Sequence, residues 1–266
     1  RAVDLGTDKI IAETEDGVGW LTFNHPERRN AMRHEMWEAT SIALDAFAAD
    51  PDVRVIVMKG AGDKAFVSGA DISQFDKVRS DADTAAKFAY AADGARQRMT
   101  DLERPLIAMI RGFCMGGGLG VALKADLRIA SSDSQFGIPA AKLGIAYAFE
   151  NVKALTDLVG PGVAKQILFT GRRYPAETAL RMGLIEEMVA PEDLAATVRG
   201  YAKTIAENAP LSIRATKLTV RQVLSDESVR DMGLLSRIGR EATDSADFKE
   251  GRTAFMEKRK PVFRGK

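Results

Sequence analysis

The sequence predicts an α/β core over residues 1–190 and a helical region over residues 191–266. Two observations carry the prediction. Short strand-like runs alternate with helical stretches through the first part of the chain, the pattern of an α/β core. After about Asn151 the strand-like runs give way to successive helical segments with apolar stripes.

The elements follow in order. Ile10–Glu15 and Val18–Phe23 are apolar runs joined by Asp16-Gly17, a hairpin signal. Asn24–Asn30 is a turn-rich basic loop. His34–Ala49 carries Met36, Trp37, Thr40, Ala43, Leu44 and Phe47 at helical spacing. Val53–Met58 reads as a buried strand and Gly60–Asp63 as a turn. Ala65–Ile72 is a strand end running into a loop, and Thr84–Leu102 is a polar-faced helix. Pro105–Ile110 is a strand, Arg111–Gly118 a glycine-rich turn, Leu119–Lys124 a helix and Leu127–Ala130 a short strand.

Pro161–Phe169, Pro175–Met182 and Pro191–Ala209 each open near a proline, which suits a first helical turn. In the third, Leu194, Val198, Tyr201 and Ile205 form an apolar stripe. Ser212–Leu224, Ser228–Arg240 and Asp247–Lys258 complete the helices. No low-complexity segment divides the chain, so two autonomous domains are not implied.

Composition narrows the functional classes. The chain has 266 residues, 45% of them hydrophobic and 28% charged, which permits a substantial core. Its 38 basic and 37 acidic residues leave a formal net charge of +1. Such a balance offers no long-range field for nucleic acid or an anionic membrane, so any anionic ligand needs a local cluster. Cys114 is the single cysteine, and His25 and His34 are the only histidines, expected as surface or loop residues. That inventory excludes an internal disulfide and argues against a cysteine- or histidine-based metal site. The most apolar stretch, Pro105–Leu123, is broken by Arg111 and glycines, a poor membrane span. With no apolar signal core at the N-terminus, the expected location is the cytoplasm.

Gly116-Gly117-Gly118 lies between a strand and a helix. Glycines there let backbone N–H groups approach a ligand closely. A tight turn without a ligand is an equal reading of the three glycines alone. The run lacks the Gly-x-Gly-x-x-Gly spacing with a following acidic residue, and no Gly-Lys-Ser/Thr follows, so neither nucleotide fingerprint is met.

Two segments together carry more. Pro105–Gly118 resembles one signature of the crotonase (enoyl-CoA hydratase/isomerase) superfamily, a strand leading into a glycine triplet. Ala65–Ile72, Ala-Phe-Val-Ser-Gly-Ala-Asp-Ile, resembles the other signature, and the two stand in the family's order. Similarity extends to Asn24–Met32, Ala125–Gly144, Phe169–Val189 and Phe255–Lys260. The resemblance implies a ββα spiral core, an acyl-CoA substrate, no separate cofactor, and a homotrimer or a hexamer made as a dimer of trimers. It implies an oxyanion hole from the backbone N–H groups of Ala70 and Gly117, which would stabilise a thioester enolate. It also implies CoA contacts from Arg28, Arg29, Ser68, Asp71 and Ile72, and from Phe255 and Lys258 of a neighbouring subunit. A solvated basic surface is the alternative for the cations, and a helix N-cap for Asp71.

The sequence departs from the family where hydratases carry two glutamates around a water. Those positions hold Gly120 and Ala140, neither of which transfers protons. Tyr147 falls where some decarboxylating relatives carry a pocket tyrosine, with a core aromatic as the alternative. Glu150 lies near the next helix start, where a favourable interaction with the helix terminus is the alternative to catalysis. The expected function is therefore an acyl-CoA-processing enzyme resembling enoyl-CoA hydratase but lacking its glutamate pair. A decarboxylase or isomerase is the alternative, and a non-catalytic CoA-binding protein the further one.

Overall fold

A computed structural model of the chain describes residues 1–69 and 81–266. Strands β1 (Ile10–Glu15) and β2 (Val18–Phe23) form the expected antiparallel hairpin, with Ile10 opposite Phe23 and Glu15 opposite Val18. Its turn needs left-handed backbone, and Asp16 (φ 49°) and Gly17 (φ 79°) supply it. Helix α1 (His34–Ala49) then leads to β3 (Val55–Gly60) and β4 (Ala65–Val67).

From here each turn of chain adds one strand to each of two sheets. Helix α2 (Ala82–Asp101) is followed by β5 (Leu106–Ile110) and β6 (Phe113–Met115). Helix α3 (Gly117–Ala122) is followed by β7 (Leu127–Ser131) and β8 (Gln135–Gly137). Helices α4 (Ala140–Leu143) and α5 (Phe149–Thr170), strand β9 (Tyr174–Pro175), helix α6 (Ala176–Met182) and β10 (Glu187–Val189) complete the spiral. The larger sheet has order β1-β2-β3-β5-β7-β10 and the smaller β4-β6-β8-β9. Every pairing is parallel except β1 with β2 and β8 with β9.

The six-stranded sheet is buried on both faces. Ile56 and Met58 point into the main core, while Val55 and Val57, one residue out of phase, join Val18, Trp20, Ile107 and Ile129 on the other face. That second face is covered by helix α7 (Leu194–Glu207) through Leu194, Val198 and Ala202. The stripe expected through Tyr201 is shifted: Tyr201 is 37% exposed and its hydroxyl donates to Glu187, while Ala202 takes the buried place. Helices α8 (Pro210–Val223), α9 (Met232–Thr243) and α10 (Ala246–Met256) end the chain. Pro161 does open a helical segment, because Gly160 (φ 79°, ψ 163°) breaks α5 just before it. Four strands differ from the sequence reading: Tyr174–Pro175 and Glu187–Val189, which it did not mark, and two others. Phe113–Met115 lies inside the segment read as a turn, and Gln135–Gly137 had no strand signal; each has three residues and exists through its sheet partners.

Among the described residues, no helix is long and apolar enough to cross a membrane, and no cluster of histidine, cysteine, aspartate or glutamate could hold a metal ion.

Candidate active site

The site is built where two strand ends meet. Strand β6 ends at Met115, and Gly116 (φ 54°, ψ −120°) turns the backbone sharply into α3. The Gly116 N–H donates to the Gly137 carbonyl at 2.8 Å, which fastens the turn to β8. Strand β4, the neighbour of β6, ends at Val67 and runs through Ser68 to Gly69 (φ 111°). The two loops touch: a Cβ on Gly117 would lie 3.8 Å from the Gly69 Cα, and one on Gly69 would lie 3.9 Å from the Gly117 nitrogen. Gly118 packs so tightly that a Cβ there would overlap the Val67 carbonyl. Gly117 opens α3, so its N–H has no carbonyl one turn back, and it has no other acceptor among the described residues. Ala70, Asp71 and Ile72, three of the residues implicated by sequence, lie outside the described residues.

The basic loop is tied to the same strand end. Asn30 (φ 55°) is fully buried; its Oδ1 accepts from the His25 N–H at 2.9 Å, and its Nδ2 donates to the carbonyls of Ala61 and Ala65 at 3.0 and 2.8 Å. The Met32 N–H donates to the Gly69 carbonyl at 2.8 Å, and the Ser68 N–H donates to that of Arg29 at 3.1 Å. Arg28, Arg29 and Ser68 are thus held beside the Gly69–Gly117 contact. Arg29 also lies over the Phe113 ring, 5.0 Å from its centroid. His25, expected as a surface or loop residue, lies in this loop with its side chain buried, its ring Nδ1 3.2 Å from the Ala31 carbonyl oxygen. His34 stays at the surface and pairs with Glu38.

Gly120 lies one turn along α3 from Gly117. A Cβ on Gly120 would lie 3.0 Å from the Asn151 Nδ2 and 3.1 Å from the Tyr147 hydroxyl. Those two side chains occupy the direction in which a longer residue at 120 would extend. The Tyr147 hydroxyl donates to the Gly116 carbonyl at 2.9 Å, so it also braces the turn before Gly117. Burial, with the neighbouring Cys114 adding to it, pushes the Tyr147 phenol above its usual value, so it stays protonated at neutral pH. Ala140 opens α4 and presents only a methyl group.

Glu150 sits in the first turn of α5 and is exposed, as is Phe149 beside it at 75%. Burial pushes the nearby Lys124 ammonium down, with Arg96 adding to the shift and the charge of Glu150 opposing it. Phe255 and Lys258, at the end of α10, are both exposed. Asn151 was not singled out from sequence. The available signal was its spacing, a polar residue four positions after Tyr147 on the first turn of a helix.

Comparison with known proteins shows what the whole chain is similar to. The sequence profile of the enoyl-CoA hydratase/isomerase family matches residues 13–266. A short-chain-enoyl-CoA hydratase of Clostridium acetobutylicum is 34% identical over 253 residues, spanning 95% of this chain and 96% of its own length. An (E)-benzylidenesuccinyl-CoA hydratase of Thauera aromatica is 36% identical over 260 residues, spanning 96% and 99%. The crystal structure of an enoyl-CoA hydratase/carnithine racemase from Magnetospirillum magneticum superposes with a TM-score of 0.92 at 33% identity, covering 98% of this chain and 97% of the other.

Proposed function

The chain belongs to the enoyl-CoA hydratase/isomerase family, and from that premise we propose that it is an acyl-CoA lyase that stabilises a thioester enolate without the glutamate pair of hydratases. The observation that carries this reading is the neutral lining at Gly120, filled by Tyr147 and Asn151, one helical turn from the Gly117 N–H, which has no acceptor among the described residues. The N–H groups of Gly117 and Ala70 form the oxyanion hole in this proposal. Donors already aimed at the developing charge stabilise it without reorganisation, each worth about 3–4 kcal/mol of barrier. Arg28, Arg29, Ser68, Asp71 and Ile72 hold the CoA moiety. Phe255 and Lys258 reach a neighbouring subunit's CoA, and the assembly is a trimer or hexamer in the cytoplasm. The exposed Phe149, Phe169, Phe255 and Met256 support an assembly that covers them; sedimentation as a stable monomer would count against it.

Decarboxylation suits such a site. The bond from Cα to the carboxylate breaks, carbon dioxide departs, and the bonding pair becomes the enolate held at Gly117. A proton from Tyr147, Glu150 or solvent then quenches Cα. Hydration is the second reading, favoured by the hydratase relatives, and requires another group to activate water.

The test is a mass-spectrometric product assay over enoyl-, 3-hydroxyacyl- and malonyl-type CoA esters. Loss of carbon dioxide from a malonyl-type ester, with no water added to an enoyl ester, is the expected result. Efficient hydration would establish the second reading, and no turnover of any ester would leave only CoA binding.

A further inference from the structure

A cleft of about 800 Å³, the size of a small-molecule site, shares no residue with the candidate active site. It lies before the first residues of β3 and β5, between the ends of α1 and α2, the start of α8 and the last residues of the chain. The glycine turns of the candidate active site follow the last residues of β4 and β6 instead. Leu44 and Leu102, both buried, form an apolar wall of the cleft with Ile205 and Leu211. Five arginines also line it. Two of them are neutralised, Arg98 by Asp45 at 2.9 Å and Arg214 by Glu103 at 2.5 Å. The third acid of the lining, Asp101, accepts from the Gln97 amide at 2.9 Å. Arg54, Arg104 and Arg264 have no carboxylate within ion-pairing distance among the described residues.

The contacts of Arg54 link the three. Its Nη2 donates to the carbonyl of Phe263, the residue before Arg264, at 3.4 Å. Its Nη1 is buried and has no acceptor among the described residues. Burial pushes the Arg104 guanidinium below its usual value; Asp50 opposes the shift and Arg54 adds to it. Arg104 Nη1 donates to the Phe47 carbonyl, and its other N–H groups have no acceptor among the described residues. The chain end is fixed in place, because the N–H groups of Arg264 and Gly265 both donate to the Asp247 carboxylate at 2.7 Å. A buried cationic donor without an acceptor is costly, and an anion entering the cleft would supply acceptors and offset the mutual repulsion. Planar guanidinium groups match carboxylate and phosphate oxygens, while the leucine and isoleucine wall offers nothing to a bare inorganic ion. We propose that this cleft binds an organic anion with an aliphatic body. Its carboxylate or phosphate head is held by Arg54, Arg104 and Arg264, and its chain lies against Leu44, Leu102, Ile205 and Leu211.

Titration calorimetry on the full chain tests this with octanoate, octyl phosphate, inorganic phosphate and octanol. Octanoate or octyl phosphate is expected to bind once per chain, about tenfold or more tightly than either inorganic phosphate or octanol. The tighter of the two octyl ligands identifies the head group. Arg264→Gln, at an exposed position, and Arg54→Gln are each expected to weaken that ligand about tenfold, the effect of one lost charge-assisted hydrogen bond. Arg264→Gln should keep the wild-type melting temperature, which separates lost binding from lost folding. Saturating CoA should leave the affinity unchanged, because the cleft shares no residue with the candidate active site. Octanol binding as tightly as octanoate and octyl phosphate overturns the inference, as does inorganic phosphate doing so. Binding that survives in both arginine variants, competition by CoA, or no binding of either octyl anion overturns it as well.

Discussion

A side chain at Gly118 would run into the Val67 backbone, whose carbonyl carbon lies 2.6 Å from where the Cβ would be. Two residues on, at Gly120, it would meet only the ends of Asn151 and Tyr147, at 3.0 and 3.1 Å. Both glycines belong to one short helix, yet they face different parts of the site. The candidate oxyanion flank is made of backbone packed on strand ends of the smaller sheet, which cannot yield without moving β4. The acyl flank is made of side chains from the segment before α5 and its first turn, which can be exchanged without touching the spiral. A family can therefore keep one flank and alter its chemistry through the other.

The sharpest way to break this comparison is a methyl group on each glycine. Gly118→Ala is expected to destabilise the chain by about 4 kcal/mol or more, because only backbone movement relieves the overlap. Chemical denaturation would measure it, and a loss below about 1 kcal/mol would mean that β4 yields. Next in size is Asn30→Ala, which strands the carbonyls of Ala61 and Ala65 and the His25 N–H. It should cost about 2–4 kcal/mol and raise KM for CoA esters, since Arg28 and Arg29 lose their anchor.

On the acyl flank the effects should appear in turnover. Tyr147 is partly buried against the core and Glu150 exposed. Tyr147→Phe is therefore expected to lower kcat by roughly 10- to 100-fold, and Glu150→Gln by less than about threefold. The reverse order, with KM unchanged, would assign the proton to Glu150, and full activity in both would assign it to solvent. The smallest stability effect belongs to Gly120→Ala. Two side-chain ends can shift by a few tenths of an ångström, so the expected loss is within about 1 kcal/mol. A loss matching that of Gly118→Ala would erase the distinction between the flanks.

Much of the fold was legible in the chain. The Asp16-Gly17 hairpin, the buried runs at Val55 and Leu106, the first-turn proline at Pro161 and the glycine turn at Gly116–Gly118 are local features. Each is set by backbone preference or short-range periodicity, and the two glycine signatures also carried the family. Strands β6 and β8 were not legible, because three residues show no alternation and their pairing comes from neighbours far along the chain. Nor was the burial of His25, which depends on Asn30 closing the loop above it.

The sequence by itself determined the family, the small residues around the candidate oxyanion hole, and the absence of carboxylates at Gly120 and Ala140, because these are matters of residue identity. Only the tertiary structure decided what fills the space at Gly120. Tyr147 and Asn151 reach it from the segment before α5 and its first turn, after two further strands, and no local rule links their side chains to a glycine in α3. It also decided that Glu150 faces solvent while Tyr147 is enclosed. Exposure depends on which elements pack against a position, and spacing along the chain cannot specify that.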